Sequence, residues 1–346
     1  MKKLIPMLFL ILCLAPSAAA LEITAPEVPK SGAEIMPQST DCFRDGLLEL
    51  LQSAITFIRP DLAEAAEVSL CVIAGAMIIS ILQTFFNGIK SAADLTGTAV
   101  VAAVLLFGAN SMIQLGAETV QELSSYGKLL YPVMTTAMAA QGGITTSAAL
   151  YTGTAMFDSI LSSLIANVMV PLVYLFLALA VANNAVGEDL LKKMRDFIRN
   201  AVSWCLKTIL TVFTTYMSIT GVVSGTTDAA SLKATKVTIS SVVPVVGGIL
   251  SDASEAVLVS AGLMKNAAGV YGILAVLAIF VEPFLRIGIH YLMLKATAAL
   301  CGIFGSKSMT GLIEDFSTAM GLLLAMTGST CLLLLISTVC FMKGVG

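Results

Sequence analysis

Long stretches without a charged side chain set the rhythm of this chain: 68 to 89, 95 to 117, 129 to 157, 159 to 187, 208 to 227 and 316 to 342. A run of about 20 apolar residues lets an α-helix cross the hydrocarbon of a bilayer, because the helix satisfies its backbone polar groups internally where water is absent. The region from Asn266 to Phe304 is as apolar but is interrupted by Glu282, Arg286 and His290, and it adds about two crossings. The pattern predicts an all-α polytopic membrane protein with about seven transmembrane helices.

The ends read differently. Residues 1 to 20 have the order of a signal peptide, with Lys2 and Lys3, an apolar stretch from Leu4 to Leu14, and the small residues Ser17 to Ala20 before an expected cleavage. An uncleaved first anchor is the alternative. Residues 21 to 66 form the one long polar segment, with Pro26, Pro29 and Pro37 early and Leu47, Leu50, Leu51, Ala54 and Ile58 at helical spacing later. We read an extracytoplasmic stem followed by a short amphipathic helix, and a multi-span helical domain over 67 to 346.

Orientation follows from the basic run at 188 to 200, which carries Lys192, Lys193, Arg195 and Arg199 and belongs on the cytoplasmic side as a loop or surface-lying amphipathic helix. Counting single crossings from an external stem leaves that run outside. The stretch 129 to 157, interrupted by Pro132, Gln141-Gly142-Gly143 and Gly153, is therefore expected to be re-entrant, entering and leaving on one side. The stretch 237 to 250, with Pro244 and Gly247-Gly248, is a second re-entrant candidate; two broken segments are also how inverted-repeat transporters mark a central site.

Composition narrows the chemistry. Apolar residues make up 57% of the 346 and charged residues 12%, against about 25% charged in a soluble domain. A net charge of -3 with no basic stripe argues against nucleic acid. Seven cysteines stand singly without a CxxC, and His290 is the one histidine, so neither a metal site nor a Ser-His-Asp triad is expected, and no cofactor. Glu282, Arg286 and His290, four apart, share one helical face: a candidate intramembrane polar face, or else the watery end of a helix hairpin broken at Pro283.

From Ser224 to Gly272 the chain combines Ser224-Gly225 with Asp228, Lys233 and Lys236, Pro244-Val245-Val246-Gly247-Gly248, Ser251-Asp252-Ala253 and Lys265-Asn266. In this order the elements resemble the stage III sporulation protein AE family of endospore-forming bacteria, a resemblance that extends over the whole chain and is least distinctive in the stem. It implies a multi-pass protein of the mother-cell membrane around the forespore. There it would act with the other products of its operon, and with a forespore-side partner, in a channel or secretion-like complex. No catalytic residue is carried over; Asp228, Lys233, Lys236, Pro244, Gly247, Gly248, Ser251, Asp252, Lys265 and Asn266 become a candidate core or assembly motif.

Three functions compete. A membrane subunit docking other membrane and soluble subunits leads, an autonomous secondary transporter or permease follows, and an intramembrane enzyme is the third. Asp158 and Asp252 are the acids flanking the broken segments, and neither lies in an intramembrane aspartyl motif.

Overall fold

A computed structural model describes residues 26–37, 43–85, 90–186, 189–242, 247–304 and 307–343; side chains at 57, 82–94, 221–265 and 304 lie outside that description. The expected signal peptide lies outside the described residues. Among the described residues the chain is helical, without strands: α1 (Lys30–Ala33), α2 (Phe43–Phe85), α3 (Lys90–Ala140), α4 (Ile144–Leu164), a π-helical turn (Ile165–Met169), α5 (Val170–Val186), α6 (Asp189–Val242), α7 (Gly247–Phe304) and α8 (Lys307–Lys343).

Six helical stretches among the described residues are long and apolar enough to cross a membrane, with α4, the π turn and α5 counting as one. This agrees with an all-α polytopic membrane protein of about seven spans, and the difference of one arises because Asn266 to Phe304 is not a hairpin. Helix α7 runs unbroken through Pro283. A proline removes one backbone donor and leaves the carbonyl four residues earlier, here that of Ile279, without its helical partner. The stem approaches the chain at that residue. A Cβ on Gly32 of α1 would lie 3.0 Å from the Ile279 nitrogen, and Ile35 is buried with Leu50 of α2 and Ala278 of α7.

The stretch 129 to 157 is likewise not a separate element. Its first part belongs to α3, which continues through Pro132 to Ala140, and its second to α4. Only Gln141-Gly142-Gly143 breaks the helix. Gly142 takes φ 92°, a region costly for side-chain-bearing residues, and the Gly143 amide donates to the Met138 carbonyl at 3.2 Å. The second re-entrant candidate has helix on either side, α6 ending at Val242 and α7 starting at Gly247; residues 243 to 246 lie outside the described ones.

Two boundaries drawn from polarity also move. The amphipathic helix from Phe43 and the first apolar span are one helix, α2, passing through Pro60, so the division at 66 falls inside an element. The basic run at 188 to 200 is not a loop but, from Asp189, the first turns of α6.

Helix α8 is the axis of the bundle, packing against α3, α4, α5, α6 and α7, while α2 lies outside against α3 and α7. Its core face alternates large residues such as Phe316, Leu323, Leu334 and Phe341 with small hydroxyl residues. Small residues let helices approach closely where lipid supplies no hydrophobic drive. Their hydroxyls bond back to their own helix: Thr327 to the Leu323 carbonyl at 3.1 Å, Ser337 to that of Leu333 at 2.7 Å, and Thr338 to that of Leu334 at 2.8 Å. Leu70, Phe107, Phe197 and Ile303 stay exposed on the outer faces, where hydrocarbon would meet them.

The tight turn gives a first prediction. Gly142→Ala is expected to lower the thermal stability of the purified protein by about 1 kcal/mol, while Ile144→Ala, at a site 68% exposed, leaves it unchanged; equal melting of the two variants would contradict the left-handed turn.

Candidate functional site

Three polar assemblies interrupt the apolar bundle. The first joins four helices at the end where α3, α6 and α8 begin. Arg195 of α6 donates from Nη1 to Asp315 Oδ2 of α8 at 2.7 Å and from Nη2 to its neighbour Asp196 at 3.0 Å. Asn184 of α5 donates to the same Asp315 oxygen at 2.9 Å. Ser308 bonds the Asn184 carbonyl and lies 3.2 Å from Thr98 of α3. The Arg195 and Asp315 side chains are only 14% and 10% exposed, so this is a largely desolvated pair in which the Asn184 amide shares the Oδ2 acceptor.

Arg195 therefore leaves the basic face on which its charge was counted and turns inward. Leu190, Met194 and Phe197 remain exposed beside it, while Ile198 is buried. The apolar face expected of the run 188 to 200 is thus split between bundle and surroundings.

The second assembly is the predicted polar face. Glu282, Arg286 and His290 all stand on α7, in mid-helix rather than at a hairpin end. Arg286 reaches across to α2, with Nε 3.1 Å from Asp61 Oδ1, so its ion pair ties two helices instead of running along one. The His290 Nδ1 bonds the Arg286 carbonyl at 3.1 Å; a carbonyl only accepts, which places a proton on Nδ1. A cavity of about 380 Å³ opens between α2, α3, α7 and α8, lined by Arg286 and His290 together with Glu64, Ser69, Met112 and Phe316. Glu282 faces a different hollow of about 280 Å³, with Glu118 and Glu122 of α3 and Glu34 of the stem. Ser31 of α1 donates to Glu122 there.

The third assembly is buried between α3 and α4. Ser124 donates to Asp158 Oδ2 at 2.8 Å, with Asp158 1% exposed. Sequence reasoning gave Asp158 no role, although it is the one charged residue between Lys128 and Glu188. A lone carboxylate in so long an apolar stretch was the available signal. The junction of Asn184, Arg195 and Asp315 had a weaker one, since each lies at the edge of an apolar stretch and nothing in the pattern pairs them.

The candidate assembly motif divides differently. Asn266 is exposed on α7. The side chains of Asp228, Lys233, Lys236, Pro244, Ser251, Asp252 and Lys265 lie outside the described residues, while Gly247 and Gly248 form the first turn of α7. Among the described residues, no three His, Cys, Asp or Glu side chains gather as a metal site would require.

Against known proteins, a family model described as Stage III sporulation protein AE (spore_III_AE) matches residues 44–344. A protein of Bacillus subtilis (strain 168) named Stage III sporulation protein AE is 24% identical over 245 residues, which are 70% of this chain and 61% of that relative. The chain thus covers less than two thirds of that relative's length. No solved structure matches significantly.

Breaking a buried ion pair from one side leaves an uncompensated charge. Arg195→Met is expected to cost about 3–5 kcal/mol in thermal unfolding, and Arg195→Met combined with Asp315→Asn to cost less than Arg195→Met alone. A single variant as stable as the parent would show that the junction holds nothing together.

Proposed function

The chain belongs to the stage III sporulation protein AE family, and from that premise we propose that it is a membrane subunit of a multi-protein channel or secretion-like complex linking mother cell and forespore during endospore formation. In this reading it sits in the mother-cell membrane around the forespore and has no catalytic role of its own. It gives other membrane and soluble subunits a helical base on which to dock.

The observation that carries this reading is the length of two consecutive helices. Helices α6 and α7 have 54 and 58 residues, or about 80 Å each at 1.5 Å per residue, against a hydrocarbon core of roughly 30 Å. A helix of that length reaches well beyond the bilayer. The stretches joined at 243–246 carry nearly all of the family motif, from Asp228 to Lys265. A helical pair projecting from the membrane suits docking of soluble partners better than enclosure of a small solute.

Six crossings also remove the difficulty in the count. With the stem outside, α2 enters, α3 returns, α4 with α5 enters again, and Lys192, Lys193 and Arg199 meet the cytoplasm as the positive-inside rule requires. The autonomous transporter remains the second reading, favoured by the cavity beside Arg286 and His290.

Two measurements test this. Capture of a tagged copy from sporulating cells in mild detergent is expected to recover the other subunits of the complex. Recovery of this chain alone, stable and homogeneous, would favour the transporter and lead to a vesicle flux assay. In a background with the native cysteines replaced, a cysteine introduced at Gly143 is expected to react with an impermeant maleimide from the external side; reaction only from the cytoplasm would overturn the topology.

A further inference from the structure

Asp158 lies within α4, and its Oδ2 is held by the Ser124 hydroxyl, but its Oδ1 is buried without a hydrogen-bond partner. Thr154, one turn earlier on the same helix and fully buried, has an unpartnered Oγ1. The hydroxyl of Tyr131 on α3 is also buried and unpartnered, and Tyr131 lies within electrostatic range of Asp158. One carboxylate oxygen and two nearby hydroxyls, all buried and unpartnered, are unusual in a folded interior, where buried polar groups nearly always find partners.

The carboxylate is not cut off. Ser124 also lines a groove of about 440 Å³ between α3, α4 and the π turn, whose polar walls include Gln121, Ser125, Lys128, Ser159 and Asn167. The π turn at Ile165–Met169 forms part of that wall. Such widened turns recur at functional sites. One serine thus touches both the buried acid and the polar groove.

The surroundings fix the charge of what binds. From α3, Lys128 and Tyr131 face the site, with Lys128 exposed at the groove. From α6, Tyr216 packs nearby and spends its hydroxyl on the Ala149 carbonyl; α6 carries no charge between Lys207 and Asp228. Helix α8 carries none between Asp315 and Lys343. Among the described residues no second acid stands beside the carboxylate, and Lys128 lies in electrostatic range without an ion pair to it, so the site takes no more than one further positive charge.

We propose that Asp158 is the binding site for one monovalent cation, a proton or a sodium ion, which reaches it through the serine-lined groove. As a proton site, an O–H bond forms at Oδ1 and the new donor points to the oxygen of Thr154 or Tyr131. As a sodium site, the carboxylate and the hydroxyls supply the hard oxygen ligands such an ion prefers. The site does not depend on the complex proposed above.

The test uses the full chain in lipid nanodiscs and infrared difference spectroscopy, comparing acid steps in choline chloride and sodium addition at fixed pH. For a proton, a carboxylic acid C=O band appears on acidification whatever the sodium content, and is missing in Asp158→Asn. For sodium, the carboxylate band shifts saturably on sodium addition and again is missing in that variant. Ser124→Ala keeps the acid but removes its donor, so a proton midpoint is expected to move up by about one pH unit, or sodium affinity to fall about tenfold. Wild-type spectra that match those of Asp158→Asn under both treatments, or a Ser124→Ala response identical to wild type, would overturn the proposal.

Discussion

Polar atoms buried in this bundle have to be accommodated without help from bulk water, and the rest of the architecture follows from how most of them are paired. Helix α8 shows the solution most plainly. Packed against α3 and α4 to α7, it keeps its core face thin with serine and threonine and returns their hydroxyls to its own backbone. The neighbours can then come close without competing for those groups. At its first turns the same helix presents Asp315, and there the bonding runs outward to Asn184 and Arg195, so that side chains rather than connectors hold α5, α6 and α8 together.

Two ionic contacts between helices among the described residues have different characters. Arg195 and Asp315 form a largely desolvated pair joined by the Asn184 amide, which fixes one arrangement of three helices. Arg286 and Asp61 join the outer helix α2 to α7, where the arginine side chain is still 35% exposed. That second pair borders a cavity, so the α2 contact is the looser of the two.

The helical class, the membrane setting and most apolar stretches were legible in the sequence because a charge-free run of sufficient length has few other uses. Where elements end was not. Pro132 and Pro283 were read as interruptions, yet both lie inside helices, as does Pro60. Packed neighbours tolerate the freed backbone groups there. Charge misled in a similar way: Glu282, Arg286 and His290 suggested the end of a hairpin, while in the bundle Asp61 and a cavity take up the cost of their mid-helix position. The side-chain junctions were hidden because they join residues far apart in sequence, and a pattern along one chain does not reveal which helix faces which.

The stem illustrates what such distance means for how the protein is made. Ile35 comes to rest between Leu50 and Ala278, and Gly32 against Ile279, so one of the earliest described segments sits against the penultimate helix. A chain inserted from its N-terminus has synthesised the stem long before α7 exists to receive it. Until then Ile35 lacks its Ala278 neighbour, and the seating of α1 against α7 becomes a late event in biogenesis.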